Sequence, residues 1–232
     1  MLQKRVVVNK PIHSISPFTL LDYPDKTACI LWFAGCNMRC VYCYNPGIVL
    51  GKGTQSYADA LAFLSRRKAL LDGVVLSGGE CTLHKGLPDF CRQLKAEGWL
   101  VKVDTNGSNP GMMADLLTHG LIDYVALDYK APAGKYFAVT QSSLYTKFEE
   151  TLELLMRGDV KFEIRTTVHA DLLHEEDLQA MVDDLGLRGF EGSLFIQHFI
   201  NDTITLGKLE GTRKRIDPGR VKHHCIELIV RN

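Results

Sequence analysis

Short apolar runs alternate six times along this chain with stretches of helical periodicity, and the links between them are short. The apolar runs fall at 27–33, 73–77, 99–103, 124–127, 161–168 and 193–199. Helical spacing occupies 55–71, 87–97, 110–119, 142–157 and 175–185. A strand covered on both faces reads as a continuous apolar run, as Thr27-Ala28-Cys29-Ile30-Leu31-Trp32-Phe33 does. Repeated strand–helix units with short links demand right-handed crossovers and a parallel sheet covered by helices. The expected class is therefore α/β. No linker or repeat divides the chain, so residues 1–232 are expected to form one domain with a core over about 27–200. The prolines before residue 26 predict short extended pieces and turns around Val6-Val7-Val8 and Ser14–Lys26. The segment 225–230 reads equally as a last strand or a helix.

A parallel sheet gathers function at the carboxyl ends of its strands. The residue types there agree. Cys36-Asn37-Met38-Arg39-Cys40-Val41-Tyr42-Cys43 follows the first strand and Ser77-Gly78-Gly79-Glu80 ends the second. Asp104-Thr105-Asn106-Gly107 follows the third, and Asp128-Tyr129-Lys130 the fourth. Arg165 and Thr166 lie within the fifth strand, and Gln197 and His198 near the end of the sixth.

Thiolates are soft ligands suited to iron–sulfur clusters and zinc. A structural zinc site closes with four ligands, so Cys36, Cys40 and Cys43 would need a fourth partner for that ion. Held by three cysteines alone, a 4Fe-4S cluster keeps one iron open to a ligand. Gly78 and Gly79 lack a Cβ and permit close approach to backbone, and Glu80 offers an acceptor for an ammonium group; a plain strand-ending turn would read the same way. The Asn106-Gly107 pair is also a common turn, and Asp128 with Lys130 a common solvated pair. Arg165, in a strand expected to be buried, needs an anion. His198 is read either as a group over a bound base or as a hydrogen-bonded core histidine, and Tyr42 as a shield for a cluster or a flank for a base. Cys29 and Cys91 read as core thiols, and Cys81 as an incidental small residue. His223-His224-Cys225 and Arg213-Lys214-Arg215 read as surface stretches.

Lys plus Arg and Asp plus Glu number 27 each, without a run of one sign, which argues against a nucleic-acid footprint. No leader pattern and no apolar stretch near membrane length appears, so neither secretion nor a membrane span is expected. Seven cysteines, three of them clustered, argue against a secreted disulfide framework and for a cytoplasmic location.

The C-x3-C-x2-C loop, with Gly78-Gly79-Glu80 one strand later, resembles the signature of the radical S-adenosylmethionine (SAM) superfamily. In that family's pattern proline usually follows the Gly-Gly-Glu element, where Cys81 stands here. The runs 18–24, 33–46, 124–132 and 162–168 are similar to those of activating proteins of anaerobic ribonucleoside-triphosphate reductase, relatives of pyruvate formate-lyase activating enzyme. The resemblance implies an incomplete (β/α)6 barrel of the TIM type. It implies a 4Fe-4S cluster on Cys36, Cys40 and Cys43 and SAM contacts from Tyr42, Gly78, Gly79, Glu80, Asp104, Asn106, Asp128, Lys130, Arg165 and His198. No catalytic side chain is expected beyond cluster and SAM. The implied reaction is reductive cleavage of SAM to a 5′-deoxyadenosyl radical, which takes hydrogen from a glycine of the partner reductase. Flavodoxin or ferredoxin would donate the electron. The alternatives are a small-molecule enzyme such as a 7-carboxy-7-deazaguanine synthase, and a non-enzymatic iron–sulfur or zinc module.

Overall fold

A computed structural model describes residues 9–222 and 225–231. Eight strands form one sheet in sequence order: β1 (Ile12–Thr19), β2 (Ala28–Phe33), β3 (Gly73–Gly78), β4 (Leu100–Thr105), β5 (Tyr124–Asp128), β6 (Lys161–Val168), β7 (Ser193–His198) and β8 (Glu227–Arg231). β2 to β8 run parallel, and β1 pairs antiparallel with β2. Trp32 of β2 and Gln197 of β7 line one cavity, so the sheet curves as an incomplete barrel does, and among the described residues no pairing joins β8 to β1 to close it. β2 to β7 are the six strands that the apolar runs predict.

The helices are α1 (Pro46–Leu50), α2 (Tyr57–Ser65), α3 (Leu87–Ala96), α4 (Pro110–Thr118), α5 (Ala133–Thr140), α6 (Tyr145–Arg157) and α7 (Glu175–Leu187). One face of each strand points to this helical layer. Leu31, Leu76, Val103, Leu127, Ile164 and Ile196 are buried there in one core with Phe90, Leu116, Phe148, Leu152 and Met181. The other face lines the barrel interior and changes character along its length. At the amino ends of the strands Tyr23, Ala28, Ile30 and Val75 form a second, smaller apolar cluster. Toward the carboxyl ends the interior turns ionic.

That ionic interior has a simple origin in strand periodicity and register. Residues two apart share a face, and Lys102 pairs with Tyr124, Ala126 with Glu163 and Asp128 with Arg165. Lys102 Nζ therefore lies 2.8 Å from Asp104 and 3.8 Å from Glu163, and Arg231 reaches Glu163 at 3.0 Å from β8. Lys102 is 1% exposed and Glu163 3%. Burial of an unpaired charge is costly, and each of these is paired.

Several local expectations change. Residues 12–19 form a full edge strand despite Pro17, which sits where the β1–β2 register shifts; an edge tolerates a residue that cannot donate. The predicted helix 55–71 stops at Ser65 and continues as turns. α1 and α5 arise where only loop was expected, α1 from a proline at its start, a position proline favours. The ambiguous 225–230 segment supplies β8, which pairs with β7. Val6-Val7-Val8 and His223-His224 lie outside the described residues. No helix among the described residues is long and apolar enough to cross a membrane.

Because Lys102 neutralises two buried carboxylates, Lys102→Met is expected to cost about 3 kcal/mol of stability, as removal of one partner of a buried pair does. The urea midpoint of the variant reads this directly, and an unchanged midpoint would show that the interior charges are compensated by other means.

Candidate active site

The cysteine loop leaves β2 and is held from four directions by backbone hydrogen bonds. Ala34 N donates to Pro11 O at 2.9 Å, and Gly35 N to Ile48 O of α1 at 2.9 Å. Arg39 N and Val41 N donate to Thr140 O and Val139 O at the end of α5, at 2.9 and 3.0 Å. From the far end of the chain, Leu206 N donates to Cys43 O at 2.9 Å and Gly207 N to Val41 O at 3.0 Å. A Cβ on Gly207 would stand 2.7 Å from Val41 Cα, so only glycine allows this approach. Arg39 closes the turn by donating from Nη1 to Cys36 O and Met38 O, both at 2.7 Å.

The Gly-Gly-Glu element packs against the same loop. Gly79 N donates to Phe33 O and Glu80 N to Gly35 O, both at 2.9 Å. A Cβ on Gly79 would meet Gly35 O at 1.9 Å, and Gly78 has φ +126°, a backbone that side chains rarely adopt. The glycines thus admit the cysteine loop itself. Glu80 is 1% exposed and accepts from Thr82 N, Thr82 Oγ1 and Thr105 Oγ1 through Oε1, and from Asn106 N at 2.8 Å through Oε2. Burial raises its pKa against the pull of these donors. The carboxylate ties the end of β3 to the end of β4.

Across the barrel, Arg165 Nε lies 3.0 Å from Asp128 and its Nη1 3.4 Å from Asp104. Lys130 Nζ donates to Asp128 at 3.0 Å. Burial alone would raise both aspartates. The Arg165 guanidinium outweighs it, helped by Lys102 at Asp104 and Lys130 at Asp128, and both carboxyls stay below the usual range. Burial opposes the charge on Lys130, yet Asp128, Tyr42 and Cys40 leave its pKa well above the ordinary value.

One cavity of about 260 Å³ collects these groups. Cys36, Cys40, Cys43, Tyr42, Gly78, Gly79, Glu80, Asp104, Asn106, Asp128, Lys130 and Arg165 all line it. His198 does not. Its neighbour Gln197 lines the cavity, since successive strand residues face opposite sides. His198 borders a separate small hollow with Asn201 and Arg215, where burial lowers its pKa. Strand parity counted from Arg165 and Thr167 through the β6–β7 register would have selected Gln197 from the sequence. Trp32, Ser77 and Thr167 also line the cavity, and the same parity identifies them. Cys81 is fully buried, with its thiol 3.5 Å from Leu76 O and 3.6 Å from Asp104 O; it seals the junction of β3 and β4 away from the cavity.

Cys36, Cys40 and Cys43 line one cavity, and three thiolates are soft ligands of the kind an iron–sulfur cluster takes. Burial pushes the Cys36 thiol up to about 12 and the Cys40 thiol to about 11. Such thiols ionise when a metal supplies positive charge, because coordination deprotonates them. The Tyr42 hydroxyl beside them is buried without a hydrogen-bond partner.

Comparison with known proteins then gives a family. Residues 30–187 match the Radical SAM superfamily. A protein of Methanocaldococcus jannaschii named "Putative glycyl-radical enzyme activating enzyme" is 32% identical over 178 residues, 72% of either chain. The pyruvate formate-lyase-activating enzyme of Clostridium pasteurianum is 35% identical over 126 residues, 51% of this chain and 52% of that enzyme. Among solved structures, native anSMEcpe with bound AdoMet superposes with a TM-score of 0.59 at 18% identity, covering 72% of this chain and 49% of that one, a likeness of fold. The chain thus spans about half the length of the latter two.

Gly79→Ala is expected to push the cysteine loop off the sheet and to lower the thermal midpoint, since the new Cβ would collide with a backbone oxygen. Asp104 and Asp128 titrate below their unfolded value, so their stabilisation is full above about pH 4 and is lost as pH falls through the depressed values. Between pH 7 and pH 3 the urea midpoint should fall, and Asp104→Asn should flatten that fall; an equal slope in both proteins would discount the ion network.

Proposed function

The chain belongs to the radical SAM superfamily, and we propose that within it the protein activates a glycyl-radical enzyme. Similarity over 178 residues to an archaeal protein named for that activity is the observation that carries the reading. The open side of the barrel supports it, because a protein loop needs a wide approach to the cavity. In this reading Cys36, Cys40 and Cys43 would hold a 4Fe-4S cluster, which would supply one-electron reduction for cleavage of SAM to methionine and a 5′-deoxyadenosyl radical. Arg165, braced by Asp104 and Asp128, faces the cavity as a cation for the carboxylate of SAM. Asp104 and Asp128 offer acceptors for ribose hydroxyls, and Gln197 takes the place at the cavity wall that His198 leaves. Tyr42, buried between the last two cysteines with an unpartnered hydroxyl, would flank the cluster or the adenine. The partner is a glycyl-radical protein, which we assign to anaerobic ribonucleoside-triphosphate reductase on the branch resemblance, with flavodoxin or ferredoxin as electron donor.

Anaerobic reconstitution with iron and sulfide, reduction, and addition of SAM is expected to release 5′-deoxyadenosine, and a glycyl-radical partner should then show an EPR doublet. Cys36→Ala, Cys40→Ala and Cys43→Ala should each abolish iron loading while Cys91→Ala, in the helical core, retains it. Full loading in all three loop variants would sink the cluster assignment. Release of 5′-deoxyadenosine with no protein radical in any glycyl-radical partner would point to a small-molecule substrate instead.

A further inference from the structure

Asn106 follows β4 and is 4% exposed, so each polar atom of its carboxamide must find a partner inside the protein. Its Oδ1 accepts from Ser108 N at 2.9 Å. That bond fixes which end of the amide is oxygen, and so aims Nδ2 at the cysteine loop. One Nδ2 hydrogen meets Asn37 Oδ1 at 3.1 Å, and the other direction leads to Cys36 Sγ at 3.8 Å, within reach of a hydrogen bond to sulfur. The backbone of Asn106 is held in turn by Glu80 Oε2, and Asn37 is fixed by donating from Nδ2 to Ser108 Oγ at 2.8 Å. Nothing in this arrangement is left to rotate. A second donor to Cys36 Sγ is Met38 N at 3.4 Å, a backbone group that a side-chain substitution other than proline leaves in place.

From this geometry we infer that the Asn106 carboxamide sets the reduction potential of a cluster ligated by Cys36, with Glu80 as the positioning residue that orients it. The inference rests on the proposed cluster reading. A donor to a ligating sulfur stabilises the more negative, reduced state of an iron–sulfur centre and raises its potential. The carboxylate of the Gly-Gly-Glu element already accepts from Thr82, Thr105 and Asn106, which ties it to the segment that carries this amide.

Redox titration of the reconstituted protein, followed by EPR of the reduced cluster in the absence of SAM, tests this without reference to turnover. Asn106→Leu removes the donor at constant size. Asn106→Asp keeps the acceptor for Ser108 N, replaces the donor with an anion and preserves the local turn. The midpoint potential is expected to fall from wild type to Asn106→Leu and further to Asn106→Asp, with iron content per chain unchanged. Glu80→Asp, which keeps the carboxylate but draws the acceptor back from Asn106 N, should lower it in the same direction. A fully loaded Asn106→Leu or Asn106→Asp protein that titrates at the wild-type potential would overturn the inference. Should both variants lose iron, wild-type protein carrying ¹⁵N in its asparagine side chains decides: hyperfine coupling of that nitrogen to the reduced cluster supports the contact, and its absence overturns it. A wild-type protein that takes up no iron–sulfur cluster at all defeats the functional reading itself.

Discussion

The barrel interior carries charge where most proteins of this architecture type carry packed side chains, and everything near the site answers to the need to neutralise it. Arg165 sits between Asp104 and Asp128, and Lys102 between Asp104 and Glu163. Each cation serves two carboxylates, and each carboxylate is fixed by the cation opposite. The cost of desolvating these groups is met only when the strands hold their register. A slip of one residue would turn every charge into the helical layer and every leucine into the cavity. The same pairs that line the site therefore also enforce the pairing of β4, β5 and β6.

Much of this was legible in the sequence because two periodicities do not overlap. Six apolar runs with helical stretches between them admit little besides a parallel sheet, and residues such as Glu80 and Asp128 then fall at strand ends. What stayed hidden depends on contacts between distant segments. The prolines predicted only short extended pieces and turns before residue 26, and Pro17 sits within a full strand because β1 is an edge with a register shift at that point. α5 was hidden among Ala, Pro and Gly residues, and its last carbonyls are what the cysteine loop needs. His198 was favoured over Gln197 by residue type, whereas side-chain direction along β7 decides between them.

The Gly-Gly-Glu element lines the cavity and also makes contacts within the chain that its residue types alone do not name. Close approach is the physical inference from Gly78-Gly79, and within the chain the backbone at Phe33 approaches Gly78 and that at Gly35 approaches Gly79. Glu80 likewise suggested a free acceptor, and it is a buried tie between strand ends. In both cases the residue type named the interaction and the fold chose the partner. A Cys in place of the expected proline at 81 follows the same logic, since its small thiol fills a sealed junction between β3 and β4.

The cysteine loop is clasped by residues 139–140 on one side and 206–207 on the other, although it lies near the start of the chain. A ribosome releases the three thiols long before it releases the residues that fix them. Domains built from such distant contacts form late, because loop closure must come first. Until residues 206–207 have emerged, the loop lacks two of the backbone hydrogen bonds that hold it. A cluster held there in the proposed reading would depend on residues 139–140 and 206–207 as much as on the cysteines themselves.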